Sequence, residues 1–180
     1  MDARGHHAMA CLANGDKDGC HREVRDYVYR VATAAGLNPE REETGLLPDD
    51  PRRRPGDLYF PLWPGGTRAA FDFAVTSPLQ LSELGNAART QLSAAINYEA
   101  GKLADRHTAS RCAAMGIQLI PVVAESFGGW GPRAQHALSV VARASAIRSG
   151  TTVGLATTRL YEGLSTIIMR ANARALLART

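Results

Sequence analysis

A chain of 180 residues with 45% hydrophobic content can bury one core of ordinary size, which points to a single domain with appendages at its ends. No apolar run approaches the roughly 20 residues that span a bilayer, the opening residues MDARGHHAMAC lack the apolar segment of a secretory signal, and three cysteines make no disulfide framework. An intracellular protein, cytoplasmic or nuclear, with reduced thiols is expected, and the net charge of +4, carried mostly by arginine, is compatible with a nucleic-acid partner.

Residues 1–19 form a Gly/Asp-rich segment without periodicity that holds His6, His7 and Cys11. Structural zinc takes four ligands, usually as two close pairs, and no Cys-x-x-Cys precedes the His-His, so the segment reads either as half a zinc knuckle or as a frayed terminus. Residues 20–37 place Val24, Tyr27, Val28, Val31 and Ala35 three and four apart, predicting an amphipathic helix that Gly36 ends. NPEREE is a short strand or a polar loop, and a turn-rich connection then leads to Arg52, Arg53 and Arg54. These arginines either hold a phosphodiester backbone or sit in a solvated loop that partners Asp49 and Asp50.

Residues 57–63, DLYFPLW, predict a strand in which Pro61 marks an edge or a bulge, and Pro64-Gly65-Gly66 turns the chain into a second strand over 68–76. Alternation puts Ala69, Phe71, Phe73 and Val75 on the better core face and Ala70, Asp72, Ala74 and Thr76 on the other. A carboxylate inside a hydrophobic strand is costly to bury without a cation or a dedicated partner. Asp57 and Asp72, one on each strand, therefore suggest a metal pair.

Residues 79–115 read as one long helix, interrupted in propensity by Gly85 and Gly101, that offers Gln91, Glu99, Lys102, Asp105, Arg106 and His107. IQLIPVVA over 117–124 predicts a buried central strand, a glycine-rich aromatic loop follows, and residues 132–149 predict another helix. After SGTTVG, residues 155–180 predict an amphipathic helix with Leu160, Leu164, Ile167, Ile168, Ala171, Ala175 and Leu176 on one stripe. Such a stripe packs on the core or on another helix, and a homo-oligomer would use it in the second way. The order of elements gives an α/β protein, a small mixed sheet of about four strands flanked by helices, with a C-terminal helix.

DARGHHAMAC with the following His21, EETGLL, RRPGDLYFPLW, AAFDFAVTSPL, GIQLIPVVAESFGGWG and LYEGLSTIIMRANARALLART cover most of the chain. Their pattern resembles the PD-(D/E)XK, or restriction-endonuclease-like, superfamily, and more narrowly the region that follows reverse transcriptase domains in some mobile-element polyproteins. The resemblance implies a nuclease-like domain over 20–150, a helical extension over 151–180, and at 1–19 a zinc-knuckle remnant that holds no zinc. It also implies that Asp57 and Asp72 bind Mg²⁺ or Mn²⁺, that the substrate is DNA, and that a reverse transcriptase domain is a partner within a longer polyprotein. The sequence departs from the family pattern twice. Gly56-Asp57 stands for the usual Pro-Asp, and Asp72-Phe73-Ala74 lacks the lysine two residues after the second acid. Related nucleases carry that lysine on the following helix, where Lys102 is the one available, the only other lysine being Lys17. Glu99, one turn away, would add a ligand or pair with Lys102. The implied function is a metal-dependent endonuclease that nicks target DNA; the alternative is a catalytically inactive module that binds nucleic acid or a protein.

Overall fold

The structure, a computed structural model, describes residues 16–178, so the segment with His6, His7 and Cys11 lies outside the described residues. Helix α1 (Asp16–Ala34) begins the described chain and buries Cys20, Val24, Val28 and Ala32, spaced four apart. It ends as its sequence predicts. Gly36 takes a left-handed φ of 80°, its N–H reaches Thr33 O at 3.0 Å and that of Leu37 reaches Ala32 O at 3.0 Å, a Schellman motif.

Four strands form one sheet in the order β1 (Glu40–Arg41), β2 (Leu58–Trp63), β3 (Thr67–Thr76), β4 (Ile117–Glu125). The first two pairings are antiparallel and β3 pairs β4 in parallel. NPEREE thus contributes a two-residue strand. The β2–β3 hairpin closes through Trp63 O and Gly66 N at 3.1 Å, with Pro64 setting the turn and Gly65 supplying the φ of 89° that the third residue needs. The register slips between Phe60 and Trp63, at Pro61, whose missing N–H cannot serve the ladder. β4 is buried as its composition predicts, yet it lies at the edge of the sheet and not in its centre. Helices cover it, and Pro121 is tolerated within it because an edge strand has one side of its ladder unused.

The long helix expected over 79–115 is three helices. They are α2 (Leu81–Ala87), α3 (Ser93–Ala104) and α4 (Thr108–Ala114), with a 3₁₀ turn over Asp105–His107 before the last. The breaks fall at Leu92, Arg106 and His107, all with positive φ, while Gly85 and Gly101 sit inside helices. The chain must fold back from β3 to begin β4 parallel to it, and a straight helix of that length would overshoot. Helices α5 (Pro132–Ser149) and α6 (Val153–Leu177) complete the chain.

The main core lies on one face of the sheet, where Phe60, Trp63, Phe71 and Phe73 meet α1, α5 and α6. Phe60 and Phe71 have ring centroids 4.6 Å apart, and Trp63 stacks edge-on against both at 5.0 Å. Each such pair adds about 0.5–1.5 kcal/mol beyond simple burial. Ala69, Phe71, Phe73 and Val75 are in this core, as the alternation of β3 predicts. Leu160, Leu164, Ile168 and Ala171 of α6 are in it too, so the C-terminal helix is integral to the domain and most of its stripe packs on α1 and α5, with Leu176 left 40% exposed. A smaller core on the other face joins Tyr59, Ala70, Leu119 and Cys112 under α4. Among the described residues no helix is long and apolar enough to cross a membrane.

Candidate active site

The two acids arrive at the same level of the sheet. Leu58 pairs with Phe71, so Asp57, one residue earlier, stands beside Asp72. Asp57 N donates to Phe71 O at 2.7 Å, and its own carboxylate Oδ2 accepts from Phe73 N at 2.7 Å. The acid thus completes the ladder with its side chain, which fixes the carboxylate. Gly56 makes this approach feasible, because a Cβ there would lie 2.7 Å from Phe71 O. A glycine directly before Asp57 is therefore required by the tightness of the strand entry.

Asp72, Ala70 and Ala74 share the face of β3 turned away from the aromatic core, and α3 lies over that face. Lys102, in the last turn of α3, brings Nζ to 2.8 Å from Asp72 Oδ1 across 30 residues of sequence. Asp72, which has Ala74 and no lysine two residues on, thus meets its lysine from a helix. On the opposite side α1 contributes His21, whose Nε2 lies 3.1 Å from Asp57 Oδ2. All four side chains are partly exposed, 20–28%, and open into one cleft of about 930 Å³.

Burial and neighbours split the two carboxyls. Burial pushes Asp72 up, and the nearby Asp57 charge adds to it; the Lys102 ammonium offsets this only in part. Burial also acts on Asp57, but His21, the Phe73 N–H and the Lys102 charge together outweigh it, holding this carboxyl below its ordinary value. Lys102 is itself partly desolvated, yet the Asp72 and Asp57 carboxylates hold its pKa above the ordinary lysine value, so it is an ammonium at neutral pH.

The rim of the cleft is strongly charged. Asp18, His21, Arg22 and Arg25 line it from α1, spaced three and four apart, and Arg53, Arg54 and Glu42 line it from the loops before β2. Arg53 donates to Thr108 Oγ1 at 2.5 Å and pairs with Asp105 at 3.3 Å; Arg54 pairs with Glu42. Arg52 is exposed and does not line the cleft. Asp49, an expected partner of the arginine run in a solvated loop, meets Arg111 at 2.8 Å instead.

Glu99 is not in the site. Three residues from Lys102 in sequence, it turns inward, is 4% exposed, and accepts from Ala134 N at 3.2 Å and Arg133 N at 3.4 Å. It serves the first turn of α5, where free N–H groups and the helix dipole favour an anion. Glu125 does the same for α3, accepting from Ala95 N at 3.2 Å. Spacing alone puts Glu99 on the face of Lys102, as a ligand or as its partner; that face is divided between cleft and core, and Glu99 is neither. Gln91 does not line the cleft either. His21, Arg22 and Arg25 were missed as a group, although a polar stripe at helical spacing beside the apolar Val24 and Val28 was the available signal.

Among the described residues no group of three or more His, Cys, Asp or Glu side chains is arranged as a ready-made metal cage. Two carboxylates do suit Mg²⁺, which keeps several waters and commonly binds through one or two acids. Oδ1 of Asp57 and Oδ2 of Asp72 accept no hydrogen bond among the described residues, leaving one oxygen of each acid for a cation. Comparison with protein-family models, curated proteins and solved structures gives no match for this chain.

Proposed function

We propose that the chain is a metal-dependent endodeoxyribonuclease with a restriction-endonuclease-like core, nicking target DNA for a retrotransposon-like element whose polyprotein also carries a reverse transcriptase. The observation that carries the reading is the 2.8 Å contact of Lys102 Nζ with Asp72 Oδ1, beside Asp57 on the neighbouring strand. It brings beside the two acids, from a helix, the lysine that the resemblance calls for and that position 74 lacks.

A bound Mg²⁺ or Mn²⁺ would supply Lewis acidity, activating water and stabilising the leaving oxygen of the phosphodiester. Asp57 and Asp72 would hold it through Oδ1 and Oδ2 respectively, which accept no hydrogen bond among the described residues. Asp57 is suited to this because it stays ionised and is fixed by Phe73 N–H and His21. Lys102 remains protonated and so acts as a cation that faces developing negative charge, not as the base. The arginines of the rim would position the backbone.

The test is nicking of supercoiled plasmid with Mg²⁺ or Mn²⁺ by the wild type, Asp72→Asn and Lys102→Met. The reading expects nicking by the wild type and a loss on the order of 10²–10³-fold in each variant. Undiminished nicking by Asp72→Asn would sink the site, and DNA binding without nicking by the wild type would support the inactive binding module instead.

A further inference from the structure

Two arginines from different elements converge on one carboxylate at the rim of the cleft. Arg25 of α1 donates from Nη1 to Glu42 Oε1 at 2.7 Å, and Arg54, from the loop before β2, donates from Nη1 to Glu42 Oε2. Each oxygen takes one guanidinium. A phosphodiester presents the same pattern, two non-bridging oxygens sharing one negative charge, and arginine forks suit it at least as well as they suit a carboxylate.

Three further observations set Glu42 apart from an ordinary surface ion pair. It holds a left-handed φ of 51°, uncommon outside glycine. Its N–H donates to Asp57 O at 3.0 Å, which places this cluster directly beside the first acid of the site. Its side chain is 45% exposed and that of Arg54 53%, whereas Arg25 is only 11% exposed and is also held by Asp26, Nε to Oδ1 at 2.9 Å. Arg25 is thus a fixed donor, and the partner it meets is half in water. An ion pair so exposed contributes little, and an incoming phosphate can replace it at small cost.

We infer that Arg25 and Arg54 form a clamp for a nucleic-acid phosphate flanking the one to be cut, and that Glu42 occupies the clamp in the free protein as a stand-in for that phosphate. This rests on reading the cleft as a nucleic-acid site. Glu42 then acts as a built-in competitor: DNA enters by displacing it, and the protein's resting affinity for duplex is lower than its arginines would otherwise give.

The experiment measures binding of a fluorescently labelled DNA duplex by anisotropy, in EDTA and over a range of salt, for the wild type, Glu42→Gln, Arg54→Ala, the double variant and Glu162→Gln. Glu162 is an exposed acid on α6 away from the cleft and controls for the change in net charge. Glu42→Gln is expected to tighten binding roughly 3- to 10-fold, the effect of releasing two exposed ion pairs, and to exceed Glu162→Gln clearly. Arg54→Ala should weaken binding and lower the slope of log K against log salt by about one, the loss of one phosphate contact, and in the double variant the gain from Glu42→Gln should disappear. Glu42→Gln binding no tighter than Glu162→Gln, a gain that survives Arg54→Ala, or no duplex binding by any of these proteins would each overturn the clamp. Because no metal is present, a wild type that binds as expected but never nicks fails the nuclease reading alone, and a nicking wild type with no gain in Glu42→Gln fails the clamp alone.

Discussion

His21 and Asp57 meet at 3.1 Å across 36 residues, fastening helix α1 to the strand entry that carries the first acid. The contact engages Oδ2 of Asp57, the oxygen that also accepts from Phe73 N, while Oδ1 accepts no hydrogen bond among the described residues. His21→Ala is expected to lower stability by about 1 kcal/mol, the usual worth of a partly buried hydrogen bond, or roughly 2–4 °C in thermal midpoint for a domain of this size. It should also raise the Mg²⁺ concentration needed for half-maximal nicking. A melting curve and a metal titration check this, and an unchanged metal requirement would reduce the histidine to a structural tie.

The two acids make opposite contributions to the pH dependence of stability. Asp72, raised by burial, binds its proton more tightly in the folded state, so in the window above its unfolded value stability falls as pH rises. For Asp57 the His21 contact, Phe73 N–H and Lys102 outweigh burial and lower the pKa, giving a contribution that is present above the ordinary aspartate value and lost as pH drops through the depressed one. Urea midpoints in EDTA should therefore show Asp72→Asn gaining on the wild type as pH rises above about 4, and Asp57→Asn losing its disadvantage as pH falls below it. Parallel profiles for the two variants would contradict the assignment.

Gly56→Ala should destabilise by about 1–3 kcal/mol, since its Cβ would lie 2.7 Å from the Phe71 carbonyl and the strand entry must shift to relieve it. The shift moves Asp57, the next residue. Nicking per folded molecule should fall along with stability, and a variant with lowered melting temperature but full specific activity would show that Asp57 is held by its other contacts.

Glu99→Ala offers the converse. Removing the carboxylate that serves the first turn of α5 should cost about 0.5–2 kcal/mol, as loss of a helix cap does, with nicking by the folded fraction falling far less than in Lys102→Met. Loss of activity without loss of stability would return Glu99 to the site.

Where the chemistry is local, the sequence was readable. Alternation along β3 separated Phe71 and Phe73 from Asp72 correctly, and Gly36 and the Pro64-Gly65 turn stand where their backbone preferences put them. The scarcity of lysine singled out Lys102. What was not legible depended on tertiary context. Leu92, Arg106 and His107 adopt positive φ with no glycine to announce it, because the crossover must be short enough to bring β4 alongside β3. Glu99 and Lys102 share a helical face by spacing alone, and only the position of α5 sends one into the core and leaves the other in the cleft. The polar stripe of His21 and Arg25 was hidden because attention to the apolar stripe of α1 treats its flank as solvent.

The two buried glutamates bear on how a helix can do a strand's work. A lysine two residues after an acid on a strand is placed by the pleat itself; one that reaches across from a helix is only as well aimed as that helix is immobile. Glu125 grips α3 at its start from the end of β4, and Glu99, projecting from its middle, grips α5. Helix α3 is thereby clasped between sheet and neighbouring helix like a beam pinned at two points, which denies it the sliding and rolling that would carry Lys102 away from Asp72. The long arm of the lysine thus works from a rigid mount.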